Sequence, residues 1–378
     1  MNQTLAIDSA TRALSRAWGS NVSLQDVVAL SKEERRNLIL RATATVATAP
    51  ARSVIIKATR ADNYDGNAIN AFESGLVKEW TALAFLAARA AAGAPAFLAG
   101  DAEHGVIVVE DLGADLGSLV GPLLDGPAER AERALIAYAT SLGRLHAATS
   151  DCRASHAAAL AASFRAARRT PPPDGDTWRR QTVDPVVARL GGVLPEGDIA
   201  EVARRVTNPG AWLGLVHRDP CPDNVMLIGD TARLIDFEYS TPGHVLLDAA
   251  YWRMGFPTCW CAGRVPDTVR ARMDDAYRSA LPATSDGRDF DSEMVAILFA
   301  SLFGSLSWQL EPTLAEDTRW GISSRRSRIL WYLDAAIAGA RQADRLPDLC
   351  EVATRWRREL GARWPDSQPL ALYPAFAT

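Results

Sequence analysis

Leu215–Ser240 reads LVHRDPCPDNVMLIGDTARLIDFEYS, and the punctuation of this stretch decides the fold. An apolar run, Leu213–Val216, enters a proline-rich loop that carries Asp219 and, five residues on, Asn224. Val225–Ile228 is again apolar, Gly229-Asp230 is a turn signal, and Ala232–Ile235 is a short strand that ends at Asp236. A loop, a hairpin and a second loop bring three oxygen-bearing side chains to one edge. Phosphoryl transfer uses such a set. One carboxylate orients the attacking hydroxyl and accepts its proton, while an amide oxygen and a second carboxylate hold a magnesium ion that bridges the nucleotide phosphates. Each of these residues alone reads as an ordinary turn former; their combined spacing is what carries the chemistry.

Upstream, β-branched residues fill Asn37–Thr48 and Arg52–Arg60, and Ala49-Pro50 between them predicts an antiparallel hairpin. From Asn67 to Ala92 the period changes: Leu76, Trp80, Leu83 and Leu86 recur at three- and four-residue spacing, and Gly93 and Pro95 end the helix. Ala96–Gly100 and Gly105–Leu112 read as two more strands. Past Leu112 the character shifts, with a loose glycine segment, a long helix over Ala128–Ala148, and mainly helical sequence beyond Pro242. The expected fold class is α+β, with an N-terminal nucleotide-binding domain over residues 1–112 and a helical domain over 113–378 that carries the catalytic loop and substrate pocket.

The 378 residues are 48% hydrophobic and 23% charged, enough to build a packed core. The net charge of -4 offers no basic field, so nucleic acid is not an expected partner. No run of about 18 apolar residues is read as a membrane span, and Met1–Arg16 has no signal-peptide pattern. Five cysteines in so long a chain fit a reducing, cytoplasmic setting. Cys259 and Cys261 stand one residue apart without a second Cys or His pair nearby in sequence, so their spacing alone does not make a zinc site.

The stretch around Asp219 resembles the catalytic loop of aminoglycoside phosphotransferases and choline/ethanolamine kinases, small-molecule kinases with a bilobal, protein-kinase-like fold. The matching residues are His217, Asp219, Asn224 and Ile235-Asp236-Phe237-Glu238. The resemblance implies that Asp219 is the catalytic base, that Asn224 and Asp236 hold Mg2+, and that His217 and Asp248 brace the loop. It also implies that Lys57, at the end of Ser53–Lys57, contacts the phosphates of ATP or GTP. Glu79 on the following helix would be its partner, with Glu73 as a rival. Glu110, Asp111 and Leu112, at the end of the strand VIVVEDL, would hold the base of the nucleotide. His146 would serve in packing or hydrogen bonding. The implied activity is transfer of the γ-phosphoryl group to a hydroxyl of a small molecule, with an antibiotic ahead of choline, a sugar or an amino alcohol. A non-catalytic nucleotide-binding relative is the other class, and a monomer or homodimer is expected.

The pattern also departs from that family. The phosphate loop would fall in Ser31–Asn37, which has no glycine, so Ser31, Lys32, Arg35 or Arg36 would act there through side chains. Arg218 stands where such enzymes often have glycine or asparagine. Protein kinases share His-Arg-Asp, yet they carry a lysine where this chain has Cys221 and Asp-Phe-Gly where it has Asp236-Phe237-Glu238, which speaks against a protein substrate. Arg253–Arg264 follows the Asp248 segment closely and is the expected substrate-facing loop.

Overall fold

The structure, a computed structural model, describes residues 2–32, 35–47, 49–61, 64–281 and 290–377. Glu33 and Glu34 of the expected phosphate loop, and Thr48 of the expected hairpin, lie outside the described residues. The helices are α1 (Gln3–Trp18), α2 (Gly75–Ala88), α3 (Val120–Asp125), α4 (Ala128–Ala148), α5 (Arg153–Ser163), α6 (Gly175–Trp178), α7 (Asp184–Leu190), α8 (Glu196–Thr207), α9 (Leu246–Arg253), α10 (Asp267–Ala280), α11 (Phe290–Ala315), α12 (Arg325–Ala343) and α13 (Pro347–Arg363). The strands are β1 (Ser23–Ala29), β2 (Asn37–Val46), β3 (Ala49–Thr59), β4 (Phe97–Asp101), β5 (Val106–Glu110), β6 (Leu213–Val216), β7 (Val225–Ile228), β8 (Thr231–Leu234), β9 (Thr241–His244), β10 (Arg319–Trp320) and β11 (Ser323–Ser324).

The chain gathers into two compact units. The first combines Met1–Leu116, Cys152–Pro171 and Arg233–Thr241; the second combines Gly117–Asp151, Pro172–Ala232 and Pro242–Thr378.

The first unit is built on an antiparallel sheet of order β1-β2-β3-β5-β4. Side chains alternate between its faces. Leu38, Leu40, Ala42 and Ala44 of β2 join Val54, Ile56 and Ala58 of β3 in one core, against which α1 lays Ala6, Ala10, Ala13 and Leu14. The same alternation sends Ser53, Ile55 and Lys57 to the opposite face. The helix α1 and the strand β1 are additions to the elements expected from sequence. Their signals are present but quiet: Asn2 caps α1 by accepting the Leu5 N–H at 2.9 Å, and Gly19 ends it at φ 62°. The apolar stripe between those caps is mostly alanine, which weakens the periodic signal.

The α2 helix starts at Gly75 rather than near Asn67. Asp65 and Asn67 spend their polarity on a local turn, with the Asn67 N–H donating to Asp65 Oδ1 at 2.8 Å, and a 3-10 turn covers Ala71–Glu73. The helix ends at Ala88 because Ala90 takes a left-handed backbone, φ 49°. The α5 helix packs on α2 within this unit.

The second unit is mainly helical. The α4 helix spans the residues expected from its sequence and packs on α10; α11 packs on α8, α9 and α12; α13 packs on α12. The short pairs β6–β9, β7–β8 and β10–β11 punctuate it. Among the described residues α11 alone is long and apolar enough to cross a membrane, with a mean hydropathy of 1.3. Of that window, 72% is buried inside the protein, including Met294, Ile297, Phe299, Leu302 and Phe303. The requirement for an apolar core helix accounts for its composition.

Candidate active site

In the first unit, Lys57 and Glu79 lie at the centre of a charged cluster. The Lys57 ammonium donates to Glu79 Oε2 and to Asp236 Oδ1. Period-two alternation turns Lys57 away from the α1 core, and α2 supplies Glu79 from its buried face. Burial by itself would push Lys57 down, but Glu79 and Asp236 outweigh it and hold the ammonium above the ordinary lysine range. Burial pushes Glu79 up to about 7, against the lowering exerted by Lys57. Glu73, the rival, instead accepts from Thr170 Oγ1 at 2.5 Å. Asp236 takes a left-handed backbone, φ 67°, and keeps 36% of its side chain exposed. Aspartate tolerates that region better than most non-glycine residues, and Asp26, Asp151 and Asp344 adopt it as well. Asp236 Oδ1 meets Lys57, so Oδ2 is the oxygen it has to offer a cation.

The remaining first-unit residues divide. Asp111 accepts from Arg41 Nε at 2.7 Å, from Ser53 Oγ at 2.6 Å and from the Gly113 N–H at 3.0 Å. Burial would raise its carboxyl; these donors outweigh burial and hold it below the usual carboxylate range. Glu110 accepts from Arg233 at 2.8 Å and from the Ala96 N–H at 3.0 Å. Both side chains are therefore committed within the unit. The last β3–β5 pair is Val54 with Glu110, so the backbone of Asp111 and Leu112 lies past the ladder. Ser31 Oγ accepts the Ile39 N–H at 2.9 Å, shaping the turn into β2. Arg36 pairs with Glu238 at 2.5 Å, a contact the sequence does not signal, and both line a 560 Å³ cavity together with Arg60 and Tyr64.

In the second unit, Asp219 is half-buried and surrounded by donors. Its Oδ1 accepts from Thr258 Oγ1 at 2.5 Å, from the Cys221 thiol at 3.1 Å and from the Tyr251 hydroxyl at 3.4 Å. The Asn224 amide donates to the Asp219 carbonyl oxygen at 3.0 Å and to its Oδ2 at 3.3 Å. With its NH2 engaged there, Asn224 has its amide oxygen to offer a cation. The loop rests on Asp248, which is fully buried and accepts the His217 N–H at 2.6 Å, the Arg218 N–H at 2.8 Å and His146 Nε2 at 3.2 Å. His146 Nδ1 meets the Tyr277 hydroxyl at 2.8 Å. Arg218 has φ 68°, a conformation that glycine or asparagine adopts at lower cost.

Thr258 and Tyr251 went unassigned from sequence. A signal existed for Tyr251, since it lies three residues past Asp248 on α9 and shares its helix face. Thr258 falls inside Arg253–Arg264, the loop expected near the acceptor. Beside it, the Cys259 and Cys261 sulfurs are 3.1 Å apart and Cys259 lies 3.6 Å from Asp223 Oδ1. Hydrogen bonds from Cys221 and Cys261 hold Cys259 below the ordinary thiol range, while burial pushes Asp223 up to about 6.

The sequence profile of the phosphotransferase enzyme family matches residues 68–287, more than half of the chain. Among solved structures, the chain is similar to a Plasmodium vivax ethanolamine kinase at 11% identity and a TM-score of 0.48, covering 84% of each chain. It is also similar to the aminoglycoside phosphotransferase APH(4)-Ia at 14% identity and TM-score 0.45, covering 90% of this chain and 99% of that one. A choline/ethanolamine kinase family protein of Mesorhizobium loti follows at 16% identity and TM-score 0.41, covering 88% and 92%. No curated protein matches. A small antiparallel sheet with a mainly helical remainder is the protein-kinase-like α+β class expected from sequence. The profile takes in Glu79, Asp219, Asn224 and Asp236 together, and on that match the chain belongs to the phosphotransferase enzyme family.

Proposed function

We propose that this phosphotransferase is a small-molecule kinase that moves the γ-phosphoryl group of ATP or GTP to a hydroxyl of an antibiotic. The observation that carries the reading is the strand lysine Lys57, bonded at once to the helix glutamate Glu79 and to Asp236. A buried ammonium with two carboxylates is a poor stabilising device on its own, but it is the arrangement a kinase uses to fix a phosphate-binding lysine. Asp219 acts as the base. Its donors Thr258, Tyr251 and Asn224 fix the carboxylate, so it orients the acceptor hydroxyl and takes its proton late. Asn224 and Asp236 carry the oxygen donors that Mg2+ takes. When bound, that ion neutralises charge on the nucleotide phosphates. The nucleotide base is met by the backbone of Asp111 and Leu112, because the side chains of Glu110 and Asp111 are already engaged.

For the acceptor, contact between Thr258 and Asp219 supports a role for Arg253–Arg264 beside the reacting hydroxyl. Trp260 in that segment is 38% exposed, an aromatic surface suited to a sugar ring or an amine. The test is nucleotide consumption against aminoglycoside, macrolide, nucleoside and peptide antibiotics, with choline, sugars and amino alcohols alongside. The expected outcome is turnover with one antibiotic, a product heavier by one phosphoryl group, and loss of turnover in Asp219→Ala. Turnover only with choline or a sugar replaces the acceptor class; nucleotide binding with no turnover of any compound refutes the kinase. Magnesium dependence of nucleotide binding that persists in Asp236→Ala removes that residue from the metal.

A further inference from the structure

We infer that Cys221, Cys259, Cys261 and Asp223 form a second metal site in the helical unit, beside the Asp219 loop and built for a thiophilic divalent cation of the Zn2+ type, with Cys221 giving up its hydrogen bond to Asp219 when it binds. Two segments of the chain bring the donors together: the proline-rich loop after β6 gives Cys221 and Asp223, and the turn after α9 gives Cys259 and Cys261. The ligand atoms of Cys221, Asp223 and Cys259 all lie within 4.8 Å of one another, with Asp223 on the exposed side; Cys261 stands outside that group and meets it through Cys259, Sγ to Sγ at 3.1 Å, so it completes the set by a shift of its side chain. All three thiols are buried, at 3%, 1% and 0% exposure. Three thiolates and one carboxylate are a four-donor set of the kind that tetrahedral Zn2+ takes, and soft sulfur donors exclude Mg2+ and Ca2+.

Outer groups are in place as well. Trp260 Nε1 donates to Asp223 Oδ2 at 3.1 Å, fixing the carboxylate through the oxygen that does not face Cys259. A further observation points to an anionic centre here. Arg328 is fully buried, and among the described residues its acceptors are all neutral: Ser323 Oγ at 2.9 Å, and the carbonyl oxygens of Cys259 at 2.8 Å, Trp260 at 3.4 Å and Trp320 at 2.5 Å. A guanidinium taken out of water without a carboxylate is costly. Three thiolates and a carboxylate outnumber the two charges of the ion, and the surplus gives Arg328 its counter-charge. Tyr373 is also fully buried, and its hydroxyl has no hydrogen-bond partner among the described residues.

Binding exchanges the thiol protons for the ion and releases them to solvent, so affinity rises with pH. The ion then fastens the turn that carries Thr258 to the loop that carries Asp219. The experiment is metal analysis of the full chain after gel filtration, followed by Co2+ titration of the reduced, metal-stripped protein. One equivalent of zinc, and a sulfur-to-cobalt charge-transfer band saturating at one equivalent, are expected. Cys259→Ser should weaken Co2+ binding by more than about 100-fold, beyond what the loss of an outer group costs. Cys152→Ser, in the other unit, should leave it unchanged. Asp223→Asn gives a second reading if Cys259→Ser does not fold. Absence of the band from reduced wild-type protein at excess Co2+ overturns the inference. So does a native mass lighter by two hydrogens in protein that carries no metal, which marks a disulfide among these thiols.

Discussion

Lys57 and Glu79 make a pair whose halves are unequal in isolation. Lys57→Met leaves Glu79 buried without its ammonium, which costs about 3 kcal/mol at pH 8. Glu79 then folds best protonated, so stability is fully present below its unfolded value near 4.5 and is lost as pH rises above it. Denaturant unfolding should show this loss in Lys57→Met and its removal in Lys57→Met with Glu79→Gln. His156 titrates with the opposite sense. Burial, aided by Arg169, pushes its imidazole from 6.5 down to about 4, and neither ring nitrogen has a hydrogen-bond partner among the described residues. The rings of Phe72 and Phe85 flank it. Above pH 6.5 it costs nothing; as pH falls from 6.5 toward 4 the unfolded chain takes a proton that the folded one refuses. Stability should fall by about 3 kcal/mol over that window, and His156→Leu should flatten the profile. Of these residues, Lys57 and Glu79 were legible because strand and helix patterns placed them in order. His156 carried no signal, since its environment is made by residues far away in sequence.

At the scale of elements, α4 and α10 bear on the Asp219 loop through side chains. Gly143 lets them close: a Cβ there would stand 2.7 Å from the Tyr277 carbonyl oxygen and 2.8 Å from Ala280 Cβ. Gly143→Ala should cost about 1–3 kcal/mol by overpacking. It should also lower kcat, because Tyr277 holds His146, which holds Asp248 under the loop. Thermal melts and steady-state rates of the one variant check both. The loop makes its own backbone demand. Arg218→Gly should keep stability within about 1 kcal/mol of wild type, whereas Arg218→Val, β-branched in a left-handed conformation, should lose about 1–2 kcal/mol. The sheet hairpin, α4 and the β6 and β7 strands could be read from sequence because their apolar runs are well marked, although Ala49-Pro50, expected as the hairpin turn, falls inside β3, where Ala49 pairs with Val46. The α1 stripe of alanines and the turn before α2 escaped, since small residues and side-chain-capped turns blur the pattern.

For the whole molecule, a nucleotide that binds only the folded chain should stabilise it by about 2.7 kcal/mol at a hundred times its Kd. A thermal-shift assay should show that gain kept in Asp219→Ala and lost in Lys57→Met; a gain kept in Lys57→Met would dissociate the shift from the lysine. The expected cut after residue 112 differs from the observed grouping because Cys152–Pro171 and Arg233–Thr241 return to the first unit, the first through α5 on α2 and the second through Asp236 on Lys57. No local pattern announces such returns, since they are tertiary contacts between distant segments. They have a consequence for biosynthesis. While the ribosome is still adding the residues before Arg233, the sheet and α2 have already emerged, yet the carboxylate that finishes their charge cluster has not been made. The nascent chain must wait for more than half of its translation before this unit can close, and a message truncated ahead of that point yields a sheet with its lysine half-partnered.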